Sequence, residues 1–226
     1  MITSQSFAGQ AYAIIKKDIL TCVLDPGSKI AQPELVKRYD FGITPIREAL
    51  KRLEQEGLVK SMPRFGYLIS PITIQDVEEI FELRMILEKS AVQMAIECAS
   101  DEQLASIMQH ANFTYIYKDR ETYLIFLEQN ISFHRAIALA AGNRRLADIL
   151  TIVLGEMTRP FNLGLDLRDS AEEMRREHIA IATTLVHRDV EAAEQTITAQ
   201  ITRSRERVVE MLNKRLKQIP IQEIMP

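Results

Sequence analysis

The fold is decided by one stretch, TPIREALKRLEQEGLV at residues 44–59. Thr44 stands where a helix N-cap is expected, and Pro45 takes the first helical position, where a missing N–H costs little. Apolar residues at helical spacing then form one stripe: Ile46, Ala49, Leu50 and Leu53. Gly57 ends the pattern. The stretch therefore predicts a short amphipathic helix whose opposite face is basic.

Short elements surround this helix on both sides. Apolar spacing predicts a first helix over residues 11–24, and Gln32-Pro33-Glu34 opens a second, brief helix. A tight corner at residues 40–42 joins that brief helix to the stretch at 44–59. Two short strands are predicted on either side of a turn at residues 63–66: 59–62 and 67–70. A short helix, a tight corner, a second helix and a hairpin together predict a winged helix-turn-helix.

The residue types in this motif suit contact with DNA. The second helix of a helix-turn-helix enters the major groove with its N-terminal residues against bases and phosphates. A basic wing tip can reach a minor groove, and glycine there permits close approach. The candidate DNA contacts lie at the helix start, on the preceding helix and at the wing tip: Arg38, Gly42, Thr44, Arg47, Lys51, Arg64 and Gly66.

The same basic residues have a second interpretation. They can pair with acidic residues on a solvated helix face, as in these sets: Arg47, Lys51 and Arg52 with Glu48, Glu54 and Glu56. The net charge of the chain is −3, but it is +3 over residues 1–70 and −6 over residues 71–226. A basic end favours a polyanionic partner, although ordinary surface charge explains so small an excess equally well.

The N-terminal third resembles the GntR family of bacterial transcription regulators. The resemblance rests on residues 26–30, 34–35 and 44–59, and on the wing segment 63–67, and it covers most of residues 10–70 without a gap. It implies that the partner is double-stranded operator DNA.

One position departs from the pattern of that family. Family members usually carry Ser-Arg before the Thr-Pro pair, and that arginine often reads a base, whereas this chain has Gly42-Ile43. We expect phosphate contacts to persist through Arg38, Thr44, Arg47 and Arg64. An apolar Ile43 would favour a thymine methyl over a guanine edge.

Long helices are predicted for the rest of the chain. Pro71 lies in a linker at residues 70–73, which divides the chain into a DNA-binding domain at 1–71 and a helical domain at 72–226. The helices are expected over these ranges: 73–99, from 100 onward, 120–141, 144–158, 170–187 and 189–217, with residues 160–164 as a loop. The fold class is thus mainly α, a winged helix-turn-helix followed by an all-α antiparallel helical bundle.

Polar residues interrupt the apolar stripes of these helices. Asn130 and His134 share a face with Leu127 and Ile137 because the spacing is three and four residues. Further polar residues hold equivalent places on other helices: Arg84, His178, Gln200 and Ser204. Buried polar groups are costly unless paired, so the set suggests a shared binding site in the bundle. The alternative is that each is a separately satisfied core residue.

This second region resembles the FCD ligand-binding domain of the FadR-type subfamily within GntR. The residues that carry the resemblance are these: Leu83-Arg84, Leu87-Glu88, Phe133–Ile137, Ala141–Asn143 and Glu177-His178. Many members hold a divalent metal through an aspartate and three histidines. Here those positions are Asn130, His134, His178 and Gln200, and amides are poor ligands for zinc or nickel.

The effector expected from this resemblance is a small organic acid. Weak metal binding or none is predicted, with His134, His178 and Asn130 as the candidate ligands if a metal binds at all. The predicted effector contacts are Arg84, Asn130, His134, His178 and Gln200, with Arg84 gripping the carboxylate through two hydrogen bonds. A homodimer is expected, because two recognition helices would read a near-palindromic operator.

Other functional classes fit less well. An enzyme using His134 and His178 as acid and base is an alternative, but no nucleophile elbow, P-loop or dinucleotide motif accompanies them, so no enzyme is predicted. A DNA-bending protein would need a more basic chain. No apolar run is long enough to span a membrane and residues 1–10 show no export signal. With Cys22 and Cys98 far apart, a cytoplasmic location is expected.

Overall fold

The structure is a computed structural model that describes residues 6–218. Residues 1–5 and 219–226 lie outside the described residues. They are the first residues of the predicted DNA-binding domain and the last residues of the predicted helical domain. Residues 1–5 are also half of the segment 1–10 in which no export signal was found. The chain forms two compact units that divide between Ile72 and Thr73. No helix in the described range is long and apolar enough to cross a membrane.

The N-terminal unit is a small helical domain with a three-stranded antiparallel sheet. Its elements in chain order are α1 (Phe7–Leu20), β1 (Lys29–Ile30), α2 (Gln32–Tyr39), α3 (Ile43–Gln55), β2 (Val59–Met62) and β3 (Gly66–Ile69). The sheet order is β1-β3-β2, with Ile30 opposite Tyr67 and Lys60 opposite Leu68. The helices and sheet enclose one apolar core, so the winged helix-turn-helix is confirmed.

Strand β1 was not predicted, because two residues are too few to show an alternating pattern. It explains the glycine at position 66. Gly66 has φ +89°, and a Cβ there would lie 2.5 Å from the carbonyl oxygen of Ile30. The close approach of β1 to β3 therefore requires glycine, independently of any contact with DNA.

Two helix starts in this unit differ from the predictions. Helix α1 begins at Phe7, four residues earlier than expected, because the Ser6 hydroxyl accepts a hydrogen bond from the Gly9 N–H at 3.2 Å. The prediction that Thr44 caps α3 is wrong. Gly42 is the N-cap, since its carbonyl accepts from the Ile46 N–H at 3.3 Å, and Thr44 is the second helical residue.

The second unit is a bundle of seven helices within the described residues. They are α4 (Ile74–Cys98), α5 (Asp101–Gln109), α6 (Arg120–Ala140), α7 (Arg144–Glu156), α8 (Thr158–Leu165), α9 (Ala171–Val186) and α10 (Val190–Gln218). A capping box opens α4, because the Asp76 N–H donates to Thr73 Oγ1 at 3.0 Å. Helix α4 packs against α6, α7 and α10, which places its inner face at the centre of the bundle.

Helix α8 contradicts the loop predicted at residues 160–164. Pro160 is the third residue of the helix and so lies in the first turn, where no backbone N–H is needed for the helical ladder. Buried Phe161 and Leu165 then pack the helix into the bundle. The proline and glycine of this segment led to the prediction of a loop, but packing against the rest of the bundle stabilises a short helix.

Candidate functional site

Helix α3 has one buried face and one exposed polar face. Its buried residues are Ile46, Ala49, Leu50 and Leu53. Thr44, Arg47 and Lys51 are exposed at intervals of three and four residues, so they share the opposite face. Gly42 is also exposed, at the start of the helix. Within the described residues, neither Arg47 nor Lys51 forms an ion pair.

The second interpretation of the basic residues, in which they pair with nearby acidic residues, holds for Arg52. Its guanidinium lies 3.6 Å from the centre of the Tyr12 ring and 3.5 Å from Glu56. Glu54 instead accepts a hydrogen bond from the Ser61 N–H at 2.9 Å, which fixes β2 against α3. Arg52 therefore supports the packing of α1 on α3, and Arg47 and Lys51 remain turned to solvent.

The other predicted DNA contacts flank this face on α2 and on the wing. Arg38 is half-exposed and lies 3.4 Å from Asp18 of α1, which holds its guanidinium at the surface. Arg64 occupies the turn between β2 and β3 with φ +69° and is exposed, as is Phe65 beside it. Gly66 follows as the first residue of β3. The wing thus presents one cation at its tip.

The bundle interior contains a chain of buried charged groups. Arg84 and Glu88 are one helical turn apart on α4, and Arg84 Nε donates to Glu88 Oε1 at 2.7 Å. The other carboxylate oxygen of Glu88 lies 2.7 Å from Nδ1 of His134 on α6. Arg84 is fully buried and Glu88 is 2% exposed. The carboxylate therefore joins a guanidinium and an imidazole that are both removed from solvent.

A second buried pair continues this chain. His178 Nε2 on α9 lies 2.9 Å from Oδ1 of Asn130 on α6, and since that oxygen only accepts, the imidazole nitrogen donates. The rings of His134 and His178 are 5.6 Å apart. We call Arg84, Glu88, Asn130, His134 and His178 the polar cluster. Aromatic rings of Phe113 and Phe133 pack on His178 at 4.4 and 5.1 Å.

Gln200 of α10 is buried, as predicted, but bonds elsewhere. Its amide nitrogen donates to the Ser204 hydroxyl at 3.2 Å, and Ser204 also accepts from Arg207 at 3.0 Å. Arg207 in turn pairs with buried Glu177 at 3.0 Å. No hydrogen bond among the described residues joins Gln200 to the polar cluster.

Several polar atoms inside the bundle have no hydrogen-bond partner among the described residues. They are Arg84 Nη1 and Nη2, His134 Nε2, His178 Nδ1, Gln200 Oε1 and Asn162 Nδ2. An unsatisfied buried donor or acceptor costs roughly 1–3 kcal/mol, so each of these atoms needs a partner such as an ordered water or a bound ligand.

The electrostatics of the polar cluster follow from burial and charge. Burial alone would raise the pKa of Glu88, but the charges of Arg84 and His134 and their hydrogen bonds outweigh it and lower that pKa to about 2. Burial and the neighbouring His134 lower the pKa of His178 well below its usual value. Glu88 is therefore ionised and His178 neutral at pH 7.

Comparison with known families settles the class of protein. The family model described as bacterial regulatory proteins, gntR family, matches residues 7–69, and the FCD domain model matches residues 79–203. The chain belongs to the GntR family. The HTH-type transcriptional regulator YdhC of Bacillus subtilis is 33% identical over 210 residues, covering 91% of this chain and 92% of YdhC.

The other similar proteins include one named as a helix-turn-helix repressor and one named as a GntR regulator. The HTH-type transcriptional repressor RspR of Escherichia coli is 24% identical over 192 residues, 85% of this chain and 84% of RspR. Among solved structures, E. coli McbR/YncC has a TM-score of 0.67 at 20% identity, covering 92% of this chain and all of that one. A GntR regulator of Rhodococcus sp. RHA1 has a TM-score of 0.66 at 19% identity, covering 91% and 99%. The two structures support the fold alone, and the family relatives are transcription regulators, not enzymes.

The donor set of the polar cluster does not fit the metal that many FCD domains bind. It offers two imidazoles and the Glu88 carboxylate, but Arg84 and His134 already contact the two carboxylate oxygens, and His178 Nε2 already occupies the amide oxygen of Asn130. No group of three His, Cys, Asp or Glu side chains in the described residues could hold a metal. The charge of the Glu88 carboxylate is already compensated by the Arg84 guanidinium, so it is not free to neutralise a metal ion. The cluster suits an anionic or hydrogen-bonding organic ligand better than zinc or nickel.

Sequence reasoning missed two members of this interior. It named Glu88 only among the residues of the FCD resemblance and not as a site residue, whereas Glu88 is buried between Arg84 and His134. The four-residue spacing of Arg84 and Glu88 was the available signal, since such pairs meet on a helix. Asn162 was missed because α8 was predicted to be a loop, and its amide nitrogen is buried without a partner in the described structure.

Proposed function

We propose that this GntR regulator is a cytoplasmic homodimer that binds operator DNA and responds to a small organic acid. The DNA contacts are Arg38, Gly42, Thr44, Arg47, Lys51, Arg64 and Gly66, and the polar cluster with Gln200 receives the acid. Support for the DNA contacts comes from the exposed, unpaired cations of α3 and the wing, and from the family to which the chain belongs. The relatives support regulation but leave the effector open.

One observation carries the effector part of the proposal. The Arg84 guanidinium is fully buried, and Glu88 occupies its Nε, while Nη1 and Nη2 have no partner in the described residues. Two parallel N–H donors at one edge of a guanidinium match the two oxygens of a carboxylate. The hydrogen-bond acceptor left on neutral His178, its Nδ1, can receive a hydroxyl or amide hydrogen from the same ligand. The hydrogen-bonding groups of a small hydroxy acid therefore complement those of this set.

Effector binding in the bundle is expected to change DNA affinity through the linker near Pro71. Coupling between two sites typically amounts to about 1–3 kcal/mol, or 5–150-fold in affinity. The acid must therefore bind the DNA-bound and free conformations of the protein with unequal affinity.

The test measures DNA binding and effector response separately. Affinity for the upstream region of its own gene is compared with affinity for random duplex of equal length at moderate salt, with and without a panel of small hydroxy acids. We expect specific binding that at least one acid shifts at least fivefold, and a raised melting temperature with the same acid. Equal affinity for both duplexes would contradict the regulator mechanism.

The Arg84→Lys variant tests whether the Arg84 guanidinium binds the carboxylate of the effector. Lysine keeps the charge beside Glu88 but lacks the paired donors, so DNA affinity should persist while the response to acid is lost. Arg203→Lys is the matched control, because Arg203 is half-exposed on α10 and pairs with Glu177 at 2.6 Å. An unchanged acid response in Arg84→Lys would overturn the carboxylate site and leave DNA binding intact.

A further inference from the structure

In the described part of the chain, the polar cluster is closed to solvent. Its five side chains are at most 4% exposed, and Arg84 and His178 are fully buried. The gap beside Glu88 and His134 is too small for a water molecule. Because a protein interior is close-packed, a ligand can reach the cluster only after a side chain that covers it has moved aside.

Two aromatic rings separate His178 from a cavity at the surface of the bundle. The cavity measures about 420 Å³ and lies between α5 and α6, with Phe113 and Phe133 in its wall. We call it the α5/α6 cavity. The same two rings pack on the His178 imidazole, at 4.4 and 5.1 Å between ring centres. A volume of this size holds a small organic molecule, and a single layer of side chains lies between it and the polar cluster.

The lining of the α5/α6 cavity is compatible with an anionic ligand. Exposed polar side chains surround the two rings: Ser106 and Gln109 of α5, and Gln129 and Ser132 of α6. Their hydroxyl and amide groups can donate hydrogen bonds to a carboxylate. No aspartate or glutamate is among the described residues that line this cavity. A small acid can therefore lie beside Phe113 without facing a like charge.

A second cavity, between α4 and α10, is less suitable for an acid. It measures about 290 Å³, and the centre of the Phe81 ring in its wall lies 5.1 Å from Cζ of Arg84. Glu78 and Glu82 also line it, and the arginine beside them, Arg205, is paired with Glu78. The lining of this cavity therefore has a net negative charge, which repels an anion.

Phe113 has more freedom to rotate than the other two rings. It lies in the irregular segment between α5 and α6, whereas Phe81 and Phe133 are inside helices. A helix disfavours one of the three staggered χ1 rotamers of most side chains, and an irregular segment does not impose that restriction. Rotation of the Phe113 ring away from His178 would join the α5/α6 cavity to the polar cluster.

We propose that the α5/α6 cavity is the entrance through which a small organic acid reaches the polar cluster, with the Phe113 ring as its gate. This inference rests on the effector site in the proposed function and adds its route of access. The ring turns aside to admit the acid. Its return over His178 excludes water from the bound carboxylate, which strengthens the hydrogen bonds from Arg84.

The experiment measures how fast a small reagent reaches His178. Diethyl pyrocarbonate carbethoxylates neutral imidazoles, and His178 Nδ1 has no hydrogen-bond partner among the described residues. Full-length wild type, Phe113→Ala and Phe113→Leu are treated at pH 7, and modification of His178 is followed by peptide mass spectrometry. Exposed His187 is the internal reference in each sample. Removal of the ring should raise the rate at His178 roughly tenfold, with a smaller rise for leucine.

Two tryptophan variants test the route without changing a buried side chain. Ser132→Trp places an indole in the α5/α6 cavity, and Glu82→Trp is the matched control in the cavity between α4 and α10, since both positions are exposed. Ser132→Trp should lower the rate at His178 roughly fivefold, and Glu82→Trp should leave it unchanged. Circular dichroism and urea denaturation check that each variant is folded, and they give the correction for modification of unfolded protein.

Three results would overturn this entrance. One is a slower reaction in Glu82→Trp but not in Ser132→Trp, which would assign entry to the cavity between α4 and α10. The second is an equal rate in wild type, Phe113→Ala and Ser132→Trp, and the third is a His178 that stays unmodified in all of them. The regulator function would stand in each case, and a protein without specific DNA binding would contradict that function without changing these rates.

Discussion

At the scale of single residues, Glu88 organises the interior of the bundle. Its two carboxylate oxygens contact Arg84 and His134, which lie on different helices, and its pKa is lowered to about 2. A buried ion pair is weak evidence for stability, but removing one partner leaves the other charge without compensation. The arrangement thus fixes the direction of Arg84 Nη1 and Nη2, which makes Glu88 a positioning residue for the proposed effector site.

Replacing Glu88 by glutamine should destabilise the protein by about 3–5 kcal/mol, because the buried Arg84 guanidinium would lose its counter-charge. Denaturation by urea, followed by circular dichroism, measures this change. Glu82→Gln on the exposed face of α4 is the control and should stay within about 0.5 kcal/mol of wild type. A loss at Glu88 as small as the control would contradict the buried ion pair.

His178 should make the stability depend on pH in the mildly acidic range. Its pKa in the fold is well below the unfolded value of about 6.5, so below that pH the unfolded chain binds a proton that the folded chain does not. The contribution is complete above pH 6.5 and falls as the pH is lowered towards the folded pKa, by at most about 1.4 kcal/mol per pH unit.

Unfolding of wild type and His178→Gln between pH 7.5 and pH 5 measures this effect. The wild-type melting temperature should fall more steeply with acidification than that of the variant. His187→Gln is the control, because His187 is exposed and its loss should leave the slope unchanged. Equal slopes in wild type and His178→Gln would contradict a neutral, buried imidazole.

At the scale of single elements, helix α3 carries one cation that packs on another helix and others that face solvent. Arg52 stacks on Tyr12, whereas Arg47 faces solvent on the same helix. Arg47→Ala should weaken binding to all duplexes and reduce the salt slope by about 1 if Arg47 contacts phosphate, because one fewer counterion is released. The salt slope is measured from DNA affinities at several salt concentrations. If Arg47→Ala instead loses its sequence preference at one base pair, Arg47 contacts a base rather than a phosphate.

Arg52→Ala provides the comparison within the same helix. Its side chain packs on α1, so the substitution should lower the melting temperature and leave the salt slope unchanged. A reduced slope in Arg52→Ala with none in Arg47→Ala would reverse the assignment of the two residues.

The wing is held by a glycine that β1 requires. Gly66→Ala should destabilise the N-terminal unit by more than Gly27→Ala, although both positions have positive φ. An alanine in the left-handed region costs about 1–2 kcal/mol at either position. Only at Gly66 would the new Cβ lie 2.5 Å from a backbone oxygen, that of Ile30. Thermal unfolding measures both variants, and equal losses would contradict the close approach of the strands.

At the scale of the whole molecule, the resemblance to FCD domains implies a metal site at Asn130, His134, His178 and Gln200, and the residues present do not suit it. Two amides replace strong ligands, and Arg84 and Glu88 place an ion pair next to His134. Protein purified without a nickel affinity tag should therefore contain no tightly held zinc or nickel. Elemental analysis of the purified protein measures this, and one metal per chain that survives dialysis against a chelator would contradict it.

The sequence by itself determined the elements whose signals are local. The stretch at 44–59 specifies α3 because apolar spacing, an early proline and a terminal glycine agree, and the helix expected over residues 73–99 is present as α4. Residue types on one helix face also indicated that Arg84, His134 and His178 would be buried. These features depend on residues within a few positions of each other.

Only the tertiary structure decided the features that depend on distant parts of the chain. Strand β1 exists because β3 pairs with it, and α8 is helical because Phe161 and Leu165 pack in the bundle. The partner of His134 is Glu88, 46 positions away, and Gln200 bonds to Ser204 rather than to the polar cluster. Contacts between helices choose which polar groups meet, because a helical period fixes a face but not the element that the face will touch.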